Sequence, residues 1–190
     1  MAINIKRVAL IYVIELITLV LLSIIGFYVG PLFVSQSVIK SLRNQLISTV
    51  DLGPNYIFLH NLEIDTLMAI PVIGPFFFVL ALVMTGFVLG VYVAYALNSI
   101  LGLIISLLIT MFFPPHGIIE LLAYAFSTTG SLTFTRDLIT SLRGGRRISK
   151  SDVTVLIIYY LISVVLLYIA ANVEYFEITA LKGLISSMIS

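Results

Sequence analysis

The run from Val72 to Phe113 contains no charged residue. As one helix it would be about 63 Å long, twice the roughly 30 Å hydrocarbon thickness of a bilayer, so within a membrane it has to fold back. Asn98 and Ser99, followed by Gly102, form the polar, helix-weakening cluster near its middle. The turn is expected there, giving spans over 72–97 and 99–113, the second ended by Pro114-Pro115.

Composition agrees with a chain built for lipid. Of 190 residues, 61% are hydrophobic and 10% charged, with a mean hydropathy of +1.19. Soluble domains carry roughly 25% charged residues. Ten Lys and Arg balance nine Asp and Glu, so no net charge argues for nucleic acid. Cysteine is absent, which excludes disulfides and thiolate metal sites.

Lys6 and Arg7 precede an apolar run from Val8 to Gly30, interrupted by Glu15. It is read as a retained first span, 8–30, with its amino end cytoplasmic. Val38, Leu42, Leu46 and Val50 recur at helical spacing, predicting an outer amphipathic helix over 37–50. Residues 56–70 mix Tyr56, Ile57 and Phe58 with His60, Asn61, Glu63 and Asp65. That mixture predicts a short boundary helix that does not cross, ended near Pro71.

Further spans are expected over 117–140 and 153–172. Between them lie Arg143, Arg146, Arg147 and Lys150, the densest positive charge in the chain. The positive-inside rule makes this loop cytoplasmic. Starting inside, the count of spans agrees only if 56–70 stays on the outer side. Ile178, Leu181, Leu184, Ile185 and Met188 predict a second outer surface helix over 176–189.

Intramembrane polar residues are costly and call for partners. Glu15 lies about 12 Å past Arg7, and Arg136 about 10 Å before Arg143, so a Glu15–Arg136 pair is expected. Snorkelling of Arg136 to the headgroups is the alternative. Gly86, Gly90 and Ala94 recur every fourth residue, forming a flat packing face for another helix of the chain or for a second copy. His116 and Glu120 are four apart, hence on one helix face.

The stretch Pro114-Pro115-His116-Gly117-Ile118-Ile119-Glu120-Leu121-Leu122-Ala123 resembles a block of the stage II sporulation protein M family of integral membrane proteins. The resemblance extends to Ile57–Leu62, to Ile70–Pro75 and to Thr85-Gly86 with Gly90, covering roughly residues 55–140. The family block has two asparagines where this chain has His60-Asn61. The resemblance brings that pair toward His116 and Glu120. Two arrangements are open: hydrogen bonds that fix the Pro-Pro corner against Asn61, or a metal or proton site from His60, Glu63, His116 and Glu120, whose donors suit a divalent ion.

No nucleophile elbow, His-Glu-x-x-His pair or phosphate-cradling glycine loop is present, and no cofactor is implied. The expected fold is an all-α, polytopic membrane bundle of about five spans with amphipathic surface helices. The expected role is a non-enzymatic scaffold or assembly partner in the plasma membrane, working with lipid and as a homodimer or beside another membrane protein. In spore-forming bacteria the family works with peptidoglycan-degrading partners during engulfment, but the quoted residues do not identify a partner surface. A small transporter, channel or permease-like subunit is the alternative. A scaffold implies a dry interior, a transporter a polar cavity or inverted repeats. Bending of the membrane by the two surface helices is a third reading.

Overall fold

The computed structural model describes residues 3–50, 53–112 and 115–189, without the side chains of Arg43, 45–50, 109–112 and 181–189. Seven α-helices follow in order: α1 Ile5–Val29, α2 Gln36–Val50, α3 Pro54–Ala69, α4 Gly74–Leu97, α5 Ile100–Phe112, α6 Pro115–Leu142 and α7 Lys150–Ile189. The side chain of Asn4 caps α1 by accepting the Arg7 N–H at 3.1 Å. Asn98, in the left-handed region at φ 42, closes α4 and separates it from α5.

The bundle buries polar groups and exposes apolar ones. Glu15, Ser23, Asp65, Ser127, Thr128 and Ser163 are buried, while Leu10, Ile17, Leu21, Leu101 and Val165 are each more than half exposed. That inversion suits a molecule whose surroundings are hydrocarbon. Among the described residues, three helical stretches are long and apolar enough to cross a membrane: Ile5–Leu32, Gly74–Leu97 and Lys150–Ala180.

Inter-helix contacts fix the directions. Gly86 packs against Leu19 and Leu22, and Gly90 against Ser23 and Phe27, so α1 and α4 run parallel. A Cβ on Gly90 would collide with the Ser23 carbonyl, and one on Gly26 with the Phe87 carbonyl. Only glycine lets the two backbones approach this closely. Of the two partners open to the Gly86, Gly90 and Ala94 face, another helix of the chain or a second copy, it is α1 that lies against Gly86 and Gly90.

Helix α3 runs antiparallel to α7, with the Thr66 and Tyr160 hydroxyls 2.7 Å apart and the Phe58 and Tyr168 rings meeting edge to face at 5.4 Å. Helix α6 is also antiparallel to α7: Gly130 lies on Tyr159, and His116 Nδ1 is 2.6 Å from Glu177 Oε2. At the amino-terminal end of the bundle, Tyr159 OH accepts the Asn4 N–H at 2.7 Å and Thr135 Oγ1 accepts the Val72 N–H at 2.7 Å. Helix α3 thus starts at the far end and finishes near the start of α1.

Two of the expected surface segments are described in part. Residues 56–70 form most of α3, whose Asn61, Asp65 and Met68 are buried against the other helices. The reason is that α3 places those three residues along one face, inward, while Leu59 and Glu63 face outward. Similarly, no separate helix begins at 176, because α7 continues unbroken from Lys150 to Ile189. Its apolar pattern beyond residue 180 concerns side chains outside the described ones.

Candidate functional site

The fold gathers three acidic side chains near its middle. Asp65, fully buried on α3, accepts hydrogen bonds at Oδ2 from Ser127 Oγ of α6 at 2.8 Å and from Ser163 Oγ of α7 at 2.7 Å. One carboxylate oxygen thereby ties three helices together. Its Oδ1 has no hydrogen-bond partner among the described residues. Glu120 on α6 accepts from the Tyr124 hydroxyl at 2.8 Å, one helical turn on.

Glu15 is the most exceptional of the three. It is fully buried on α1, and neither carboxylate oxygen has a hydrogen-bond partner among the described residues. It lies close enough to Asp65 and Glu120 for their charges to act on it. The ion pairs among the described residues are His116–Glu177, Arg146–Asp137 and Arg146–Asp152, and none involves these three acids.

Glu15 and Glu120 line a cavity of about 190 Å³ together with His60, Asn61, Thr85 and Tyr124. Leu19, Met68, Phe78 and Leu82 supply apolar walls. Such a space holds several waters, and it presents acceptors to whatever enters. Charges buried without partners cost several kcal/mol each, and a proton or cation delivered to the cavity removes that cost.

The expected Glu15–Arg136 pair is not formed. Arg7, not Arg143, marks the relevant level on α6, since its Nη1 reaches Thr133 Oγ1 at 3.5 Å. Glu15 then stands about 16 Å further from the amino-terminal end than Arg136, too far for contact. Arg136 instead faces a second cavity that it shares with Arg7.

Of the four candidate metal donors, His60 and Glu120 line the cavity, His116 pairs with Glu177 and Glu63 is exposed; His60 also stacks beside Tyr56 at 6.5 Å between ring centres. Among the described residues no three His, Asp or Glu side chains gather as a metal set. Of the residues singled out from sequence, His60, Asn61, Glu15 and Glu120 reach one cavity.

Asp65, Ser127, Ser163 and Glu177 were missed. The spacing of Asn61, Asp65 and Met68 was the available signal, since it puts two polar groups and a large apolar one on a single helix face. The serines gave none, because hydroxyls in apolar helices usually bond to backbone.

At the amino-terminal end of α7, Asp152 Oδ2 accepts from both the Ser149 N–H and its hydroxyl at 2.8 Å, and Oδ1 accepts from Arg146 at 2.7 Å. The reach back from Asp152 to the Ser149 N–H is one half of a capping box. The Ser149 backbone N–H, Arg146 and the Ser149 hydroxyl together hold the Asp152 carboxyl down at about 2.

No curated protein and no solved structure matches this chain. The family model described as stage II sporulation protein M matches residues 16–177, most of the chain. With its apolar exterior and its all-helical bundle, the chain belongs to the stage II sporulation protein M family.

Proposed function

We propose that this protein is a small, non-enzymatic transport-type subunit of the plasma membrane that takes protons or small cations into the cavity between Glu15 and Glu120. The observation that carries the reading is the fully buried carboxyl of Glu15, without a hydrogen-bond partner among the described residues, on a residue that shares a largely apolar cavity with Glu120, His60 and Asn61. Ionisable groups inside a membrane bundle commonly mark proton relays and ion paths, which supports the transport reading over a passive scaffold.

In this reading the membrane is crossed five times, by α1, α3, α4, α5 with α6, and α7. The directions of α3 and α6 support it, since the parallel helices α1, α4 and α7 need two returns. Helix α5, about 20 Å long, descends from the end of α4 and α6 continues in the same direction. Lys6, Arg7 and the basic loop 143–150 fall at one end, which the positive-inside rule assigns to the cytoplasm.

The test is ion movement in vesicles reconstituted with the full chain. An interior pH dye and a potassium or sodium gradient should report flux above that of empty vesicles, lost in a Glu15→Gln Glu120→Gln variant. Vesicles as tight as empty ones, with folded protein present, would reject the reading.

One feature favours assembly with a partner helix. Val20, Ile24 and Tyr28 of α1 and Ile100, Ile104 and Leu108 of α5 line an apolar groove of about 340 Å³ on the outer face. Cysteines placed at Ile104 would cross-link two copies if the occupant is a second chain; monomers only would point to lipid.

A further inference from the structure

A second cavity, about 260 Å³, opens between α1 and α6 at the amino-terminal end of the bundle. Arg7 and Arg136 both line it, and neither is ion-paired among the described residues. Arg7 Nη1 is held toward α6 by Thr133 Oγ1 at 3.5 Å. Thr129 also lines the cavity, and its hydroxyl is buried, 2% exposed for the residue, with no hydrogen-bond partner among the described residues. Two guanidiniums at one cavity are a donor set that recognises a phosphate.

The remaining walls decide what the phosphate belongs to. Leu10 is 58% exposed and Leu132 39% exposed, both on the outside of an apolar bundle. An occupant therefore meets cations at the end of the bundle and hydrocarbon-facing leucines beside it. We propose that this cleft is a binding site for one anionic phospholipid, its phosphate between Arg7 and Arg136 and an acyl chain along Leu10 and Leu132. It is separate from the acidic cavity, and the proposal does not depend on ion movement.

The test is native mass spectrometry of the full chain in detergent with added phosphatidylglycerol or phosphatidylcholine. The wild-type protein should retain one phosphatidylglycerol in preference to phosphatidylcholine. Arg7→Gln with Arg136→Gln should weaken retention about thirtyfold, the effect of two basic groups near an anionic headgroup. Arg143→Gln with Arg147→Gln, which removes equal charge from the adjoining loop, should leave retention intact. Should the first double variant fail to fold, Arg136→Gln alone should still cost about fivefold, the effect of one basic group near an anionic headgroup. Equal retention of the two lipids by wild type overturns the proposal. So does an equal loss in the loop variant, unchanged retention in both cleft variants, or full displacement by millimolar inorganic phosphate, which would show that the acyl chain contributes nothing.

Discussion

Glu15 of α1 and Glu120 of α6 line one cavity in the middle of the bundle, and neither is ion-paired among the described residues. Glu120 has the Tyr124 hydroxyl as a donor; Glu15 has none among the described residues. The asymmetry makes Glu15 the group whose cost is unrelieved by the fold itself. Glu15→Gln should therefore fold, with stability within about 1 kcal/mol of wild type, because the amide matches the carboxyl in size and replaces a group that has no hydrogen-bond partner among the described residues. Thermal unfolding in detergent gives the comparison, and a large loss would mean that the carboxylate has a structural partner.

Asp65 plays the opposite part. Asp65→Ala leaves the Ser127 and Ser163 hydroxyls without their acceptor in a buried site and should cost about 2–4 kcal/mol. Asp65→Asn retains an acceptor oxygen and should cost less. The order of the two melting temperatures checks the claim.

Helices α1 and α4 should separate when their glycines gain bulk. Gly90→Leu drives a side chain into the Ser23 carbonyl and should destabilise by about 3 kcal/mol or more. Gly53→Ala provides a contrast in space, since nothing lies within 4 Å of its position, although its φ of 87 adds backbone strain. Loss of folded protein on size-exclusion chromatography is expected for Gly90→Leu.

The direction of α3 is open to a chemical test because the chain has no cysteine. Single cysteines at Asn55 and Ile73 should react with a membrane-impermeant maleimide from opposite faces, with Ile73 matching Arg143. Labelling of Asn55 and Ile73 from one face would mean that α3 does not cross.

The Ser149–Asp152 cap should make the start of α7 sensitive to acid. Its folded carboxyl titrates at about 2, below the ordinary value of about 3.9. Such a group stabilises above the ordinary value and loses its contribution as the pH falls through the folded one. Melting temperature should therefore fall between about pH 4 and pH 2, and that part of the fall should vanish in Asp152→Asn.

Much of the architecture was legible in the chain itself. The charge-free run around Asn98 shows where α4 must stop, and the spacing of Gly86 and Gly90 shows that a helix packs closely there. Both signals are local, resting on hydrogen-bonding capacity and side-chain size. The path of residues 56–70 was not legible, since a 16-residue helix carrying His60, Glu63 and Asp65 is too short and polar to cross lipid alone. One face of it packs inward, where Ser127 and Ser163 on two other helices donate to one oxygen of Asp65.

Sequence alone determined that this chain belongs in a membrane and where most of its helices begin and end, because hydropathy and helix-stopping residues act over one or two turns. Tertiary structure alone decided that Glu15 shares a cavity with Glu120 and not with Arg136. Counting residues along a helix gives depth only from a chosen anchor, and the offset between α1 and α6 is set by contacts such as that of Arg7 with Thr133.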